Sequence, residues 1–324
     1  MTCLRCLVVV AVILCGQDSF AQNDFDAPPI NYQSAPANDA VERLRKAIES
    51  GTRELRWDEK SGWLSSILKE LEVPVSSQTL VFSKTSLQIS RITPSRPRAL
   101  YFNDEVYVGW VQKGDVIELS AVDPDIGTVF YSLAQDPDQP PAIVRDRGRC
   151  IVCHASSRTQ NVPGILVRSV FPSRNGTPHY GLGTTTTDHT TDIKKRFGGW
   201  YVTGKHGLMR HLGNAIADEE SSSPIDPEPG ANLESLDNLI DTDPYLTTTS
   251  DLVALMVLEH QSQMHNLITR AVYEARRAAH QDQIMGKLLD RPADYVSDSA
   301  KRRIASAGDK LLEYMLFTDE FDLT

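Results

Sequence analysis

Residues 105 to 133 read EVYVGWVQKGDVIELSAVDPDIGTVFYSL. Three runs stand out, Glu105 to Val111, Val116 to Val122 and Thr128 to Leu133, each rich in Val, Ile, Tyr or Phe and separated by the turn sequences KGD and DPDIG. Short β-branched and aromatic runs punctuated by Gly, Pro and Asp specify strands joined by tight turns, and therefore an antiparallel sheet. Two runs upstream, Thr79 to Phe82 and Ser86 to Ile92, extend the same pattern.

The period differs on either side of this β region. Asp39 to Glu49 and Ser61 to Glu72 read as helices. In the second, Leu64, Ile67, Leu68 and Leu71 recur at helical spacing, Ser61 is placed to cap the start and Pro74 to stop the end. Residues 22–38 are rich in Pro, Asn, Asp and Ser and read as a flexible arm. After the β region, residues 140–217 carry the strand-like pieces GILVRSVF, HYGLGTTTT and GGWYVTG. Thr184 to Thr187 lack the Gly-Lys pair of a phosphate loop and read as a strand with one hydroxylated face. Residues 218–246, beginning DEESSSPIDPEPGANLES, read as a solvated acidic loop, and no Lys or Arg occurs between Arg210 and Arg270. Residues 247–324 are helical. A long helix starts near Ser250-Asp251 and runs past Ala275 towards Leu289, and its first turns, DLVALMVLEH, are apolar all round and expected to be buried. A last helix, Ala300 to Phe317, is expected to pack on the core. The class expected is α+β, with residues 39–139 forming a helix pair plus the antiparallel sheet.

The chain has 324 residues, 33 Lys and Arg against 43 Asp and Glu, and a formal charge of −10. That balance argues against nucleic acid or an anionic membrane surface as the main partner. Residues 1–21 have the form of a signal peptide: Arg5, the apolar run Leu7 to Leu14, and small residues at Ser19 and Ala21 before a cut after Ala21. An exported protein, periplasmic or extracellular, is expected, with no later apolar stretch long enough to span a membrane. Cys3, Cys6 and Cys15 leave with the leader, so only Cys150 and Cys153 remain and no long-range disulfide can form.

Those two cysteines lie in RGRCIVCHAS, residues 147 to 156. Two thiols three residues apart can each form a thioether with a haem vinyl group, and the histidine that follows, His154, then supplies the proximal iron ligand. Three other chemistries use cysteines at this spacing. A redox dithiol is expected beside a βαβ pattern, a zinc site needs a further ligand pair, and a short structural disulfide needs neither.

The stretch CIVCH resembles the c-type cytochrome superfamily. More loosely, LVFSKTSLQ, RALYFNDEVYVGWV, TDHTTDIKKRFGGWYVTGKHG and LVALMVLEHQSQMHNLITRA look like stretches of large, uncharacterised exported haem-c proteins of environmental bacteria. The resemblance implies one covalently attached haem c, and an architecture other than the minimal three-helix cytochrome c.

Function then turns on the sixth iron position, since a Met or His ligand makes an electron carrier while an empty site invites small molecules. GKHGLMRH offers His206, Met209 and His211, with Met209 55 residues after His154 and with Trp200 and Tyr201 just upstream to wall a porphyrin. The long helix offers His260 and Met264, four apart on one face, with His265 beside them. Arg145, Arg147 and Arg149 alternate ahead of the motif and are candidates to pair with haem propionates. The reading is electron transfer with a redox partner protein, and the acidic loop is a candidate docking patch for it. The alternatives are a peroxidase-like oxidoreductase, with His206 or His211 near Arg210 as acid and base, and a haem-based gas or redox sensor.

Overall fold

A computed structural model describes residues 24–218 and 225–323; the expected leader, residues 1–21, lies outside them. The architecture is α+β. Two short helices, α1 (Ala40–Glu49) and α2 (Leu64–Glu70), precede the strands β1 (Thr79–Val81), β2 (Arg98–Phe102), β3 (Val106–Val111), β4 (Val116–Asp123), β5 (Gly127–Ala134) and β6 (Ile143–Arg145). Then come a single helical turn, α3 (Ile151–His154), and the strands β7 (Arg168–Val170), β8 (Thr184–Thr186) and β9 (Trp200–Tyr201). The helices α4 (Leu252–Leu288) and α5 (Asp298–Met315) end the chain. Among the described residues no helix is long and apolar enough to cross a membrane.

Seven strands form one antiparallel sheet in the order β6-β5-β4-β3-β2-β1-β9, and β7 pairs only with β8. The turn chemistry sets the register. Between β4 and β5, Asp123 Oδ1 accepts from the amides of Asp125 and Ile126, and Gly127 takes φ +75°. An Asx turn closed by a left-handed glycine fits a tight hairpin. Between β3 and β4, the Gly114 amide donates to the Val111 carbonyl.

Side chains alternate across the sheet, so the register assigns each residue to a face. One face carries Ala99, Tyr101, Val108, Trp110, Ile117, Leu119, Val129, Tyr131 and Leu133, all buried. It joins one hydrophobic core with Val41 and Leu44 of α1 and Leu64, Ile67 and Leu68 of α2. The opposite face is only half closed. Its central row runs Leu100, Gly109, Glu118, Ser132 and Val144 across β2 to β6, and each of these but Gly109 keeps some exposure. The next row of that face, Phe102, Tyr107, Ser120 and Phe130, is buried. There α4 crosses, with Gln261 Nε2 on the Tyr107 hydroxyl at 3.1 Å and His265 Nδ1 2.8 Å from the same oxygen.

Several expectations are corrected. Ser86 to Ile92 is a turn rather than a strand: Leu87 and Ile89 point outwards, and the Gln88 side chain takes the main-chain bonds a strand would have made, donating to the Val116 carbonyl and accepting from the Asp115 amide. The described part of the expected flexible arm is docked. Phe25, Ile30 and Tyr32 are buried, and the Tyr32 hydroxyl donates to the Thr128 carbonyl at 2.8 Å. The helix expected from Ser61 begins at Leu64, with Trp63 at its N-cap and no side-chain capping bond. The first turns of α4 bury Leu255, Leu258 and Glu259 but leave Val253 and Val257 exposed, so they form a stripe and not an all-round buried rod. The last helix packs along α4 and buries only Ala300 and Ala307. The acidic loop is not fully solvated: Leu236, Ile240 and Tyr245 are buried, and the Tyr245 hydroxyl donates to the Pro97 carbonyl at 2.9 Å. Residues 219–224 of that loop lie outside the described residues.

Candidate haem-attachment site

β6 ends at Arg145, and the chain turns at once into α3. Asp146, largely buried, sets the turn by accepting from the amides of Gly148 at 3.1 Å and Cys150 at 2.9 Å. Buried Ile151 then anchors the helical turn in the core, which leaves Cys150 half-buried, Cys153 exposed and both thiols free. Burial, with Asp146 and Glu118 adding negative charge, pushes the Cys150 thiol up to about 12. An activated redox dithiol needs the opposite, a thiolate favoured by nearby positive charge.

His154 is oriented by two bonds to one residue. Its Nδ1 lies 2.9 Å from the Gly164 carbonyl oxygen, and its own carbonyl accepts from the Gly164 amide at 2.8 Å. A carbonyl can only accept, so Nδ1 carries the proton and Nε2 presents its lone pair. Burial lowers the His154 pKa, which keeps the ring in the neutral, ligating form. The loop that holds it is fixed from α4. Asn266, 1 % exposed, accepts from the Ile165 amide at 2.9 Å and donates to the Ile165 carbonyl at 2.8 Å. A Cβ on Gly164 would stand 2.1 Å from Asn266 Oδ1, so only glycine allows this approach. Imidazole to carbonyl to buried amide is the arrangement by which proteins fix the tautomer and direction of a metal-ligating histidine.

The ring of His154 packs against Phe130 of β5, with centroids 4.9 Å apart. It therefore stands over the half-closed face. Next to it, Arg98 of β2 reaches across Gly109 of β3 to Glu118 of β4, Nη2 to Oε2 2.5 Å, and a Cβ at Gly109 would fall 2.2 Å from Nη2. Arg98 Nε is buried and has no hydrogen-bond partner. An orphaned guanidinium donor is costly unless an acceptor arrives. Beyond Ser132 the face opens into a cavity of about 540 Å³ lined by Val144 and Val152, 59 % and 80 % exposed, and by Arg145, Asp146, Arg147 and Arg149. An apolar shelf, a buried cationic donor and a histidine with a free Nε2 fit a group that is flat, apolar and carboxylate-bearing.

The three arginines expected to pair with propionates line this same cavity, and each already holds a partner. Arg145 donates to the carbonyls of Ala35 at 2.9 Å and Tyr32 at 2.8 Å, Arg147 to the carbonyl of Gln33 at 2.6 Å, and Arg149 to Asp146 at 3.2 Å. Trp200 and Tyr201 do not form a separate wall. They are β9 residues at the sheet edge remote from β6, six strand spacings away, or roughly 29 Å at about 4.8 Å each.

The sixth-position candidates fall into two places. His206 is buried with both ring nitrogens occupied, Nδ1 donating to the Met209 carbonyl at 2.7 Å and Nε2 accepting from the Asn232 amide at 3.0 Å. His211, its ring 4.7 Å from that of His206, accepts on Nδ1 from the Gly213 amide at 3.0 Å, and its buried Nε2 has no partner. Burial, then His206 and Arg210, lowers its pKa to about 4. Met209 is half-buried, and Arg210 is paired with Glu228 at 2.9 Å. On α4, His260 stacks on Phe317 and Tyr314 at 4.3 and 4.9 Å with Nδ1 3.0 Å from His189 Nδ1, and Met264 is half-buried. His265, bonded to Tyr107, stands over the same row of the sheet as the Phe130 that packs on His154. Among the described residues no three His, Cys, Asp or Glu side chains group to hold a metal ion, so a four-ligand zinc cage is not assembled there.

Comparison of the chain with protein-family models, with curated proteins and with solved structures gives no match.

Proposed function

We propose that the chain is an exported mono-haem c-type protein that transfers electrons. Cys150 and Cys153 would carry the thioether links and His154 Nε2 the proximal bond. A haem so held supplies a one-electron redox centre. The observation that carries this reading is the His154 Nδ1 contact to the Gly164 carbonyl, backed by Asn266. It prepares one imidazole nitrogen for a metal directly after a Cys-Xaa-Xaa-Cys pair. Arg98, with its unpartnered Nε, would offer a charge-assisted bond to a propionate beside Arg145, Arg147 and Arg149, which line the cavity. Export is supported by the leader-like sequence, residues 1–21.

Electron transfer is favoured over peroxide chemistry by the state of His206 and Arg210, which leaves His211, with its unpartnered Nε2, as the one remaining acid-base candidate. Both nitrogens of His206 are bonded within their own loop, and Arg210 is bound to Glu228. A group already committed on every donor and acceptor has nothing left to give a substrate proton. Met209, His211, His260 and Met264 remain the proposed sixth ligands, His206 would join them only by releasing the Asn232 amide from Nε2, and His265, over the same sheet row as Phe130, is added to them. A redox partner protein of basic character would meet the acidic 218–246 segment, and its rate of reduction would then fall with salt.

The test is an optical and resonance-Raman spectrum, oxidised and dithionite-reduced, of the chain produced in a periplasm with haem-attachment machinery. Covalent haem with six-coordinate low-spin iron is expected. Five-coordinate high-spin iron would replace the electron-carrier reading with a peroxide or gas site. Absence of covalent haem would overturn the proposal.

A further inference from the structure

A second cavity, of about 250 Å³, is lined by the segment that follows the motif, by residues 186–188 and by Glu259, Ser262 and Gln263 of α4. Its polar lining is incomplete. Glu259 is 1 % exposed, Oε2 has only Arg196 Nη1 at 3.5 Å, and Oε1 has no hydrogen-bond partner. Thr187, also buried, lines the same cavity, and its hydroxyl is unpartnered too. That hydroxyl is near enough to ease ionisation of Glu259, yet the two do not meet in bonding geometry. Arg196 cannot compensate further. Its Nε is spent on the Thr191 carbonyl at 2.6 Å and its Nη2 on the His189 carbonyl at 2.9 Å. A buried carboxylate oxygen left without a donor costs the full desolvation of that atom.

The charges around the cavity select the missing donor. Two carboxylates, Glu259 and Asp188, line it, and Asp188 Oδ1 is engaged by Thr190 and Thr191. The one cation in the lining, Arg158, is exposed. Ile165 and Val167 supply apolar wall. At roughly 30 Å³ per water in the liquid, the space holds a molecule of a few heavy atoms. We propose that this cavity binds a small primary ammonium compound, its N–H groups donating to Glu259 Oε1 and Thr187 Oγ1 and its carbon stem lying on Ile165 and Val167. An anion would meet two carboxylates. A cation without N–H groups would leave both oxygens as they are.

The site is made of protein atoms alone, so it does not depend on the haem reading. The test is calorimetric titration of the full chain at pH 9, where Glu259, pushed up to about 8 by burial, is ionised, with methylammonium, with tetramethylammonium as a cation lacking N–H donors and sodium chloride as the ionic-strength control. Saturable binding of methylammonium alone is expected, weakened tenfold or more in Glu259→Gln and several-fold in Thr187→Val. Equal binding of tetramethylammonium, or binding unchanged in the variants, overturns the proposal. Absence of methylammonium binding also overturns it and leaves the cavity to water. Should Glu259→Gln not fold, Thr187→Val carries the same decision, because it removes a hydroxyl and leaves the ion pair with Arg196 in place.

Discussion

The two faces of the seven-stranded sheet share every strand and differ in what covers them. On one, Val108, Ile117, Leu119 and Leu133 are closed by the first two helices and the N-terminal segment. On the other, Leu100, Glu118, Ser132 and Val144 stay partly open although β2 to β6 pair without a break beneath them. A sheet needs only one apolar face to fold. The second face is then free to keep Arg98, Glu118 and a glycine where stability alone would place large apolar side chains. The difference separates a closed side from a half-open side within the same strands.

The sharpest break of that comparison is at the motif. Replacing Cys150 and Cys153 together with Ala should remove all covalent haem, read as loss of the haem mass on the denatured chain, while far-UV circular dichroism keeps the sheet signal. Haem retained by the double variant would place attachment elsewhere. Within the sheet, Leu119→Ala on the closed face should cost about 2 to 5 kcal/mol in urea unfolding. Leu100→Ala, on the half-open face, should cost less than half as much, and equal losses would erase the distinction between the faces.

Acid and base should tell α4 apart from the sheet. Burial pushes Glu259 from its ordinary 4.5 up to about 8, with Thr187 and Arg196 opposing. A carboxyl with a raised folded-state pKa holds its proton more tightly when folded. Its contribution to stability is therefore complete below about 4.5 and is lost as pH rises through about 8. Glu259→Gln should flatten that decline, which is of the order of a few kcal/mol. A pH profile of unfolding shared by parent and variant would refute the assignment.

Smaller effects sharpen the site. Asn266→Ala strips both partners from the Ile165 main chain and should cost about 1 to 3 kcal/mol. In the haem-loaded protein it should also move the iron–histidine stretching band, a readout that lost packing elsewhere would not shift. Smallest is the contrast between arginines. Arg98→Gln should lower the reduction potential, whereas Arg147→Ala, which removes only an exposed bond to the Gln33 carbonyl, should leave it unchanged.

What could be read from the sequence was whatever is written locally. β3, β4 and β5 follow from alternation and turn residues within ten positions of each strand, and the Cys-Xaa-Xaa-Cys-His motif is complete in five. β2 was hidden because Pro94 and Pro97 sit just ahead of it, and Ser86 to Ile92 misled because its alternation ends in turns that a glutamine side chain completes. The partners that give His154 its direction were out of reach for a different reason. Asn266 meets Ile165 across a separation of 101 residues, and nothing near either one announces the other. The three arginines closest in sequence to the motif were the natural choice for propionates. Arg98, more than fifty residues upstream, also lies close enough to act on His154, and nothing near the motif announces it.

The two-residue strand β9 has a consequence in time. It closes the sheet by pairing Trp200 and Tyr201 with Val81 and Leu80, so the edge is complete only when a segment about 120 residues downstream returns to β1. Contacts that distant are among the last to form, because a long loop must be closed before they are rewarded. A chain made from its N-terminus exposes Cys150 and Cys153 well before Trp200 exists. The order of the chain thus leaves an interval in which both thiols are reachable and the sheet that will partly bury Cys150 is still unfinished.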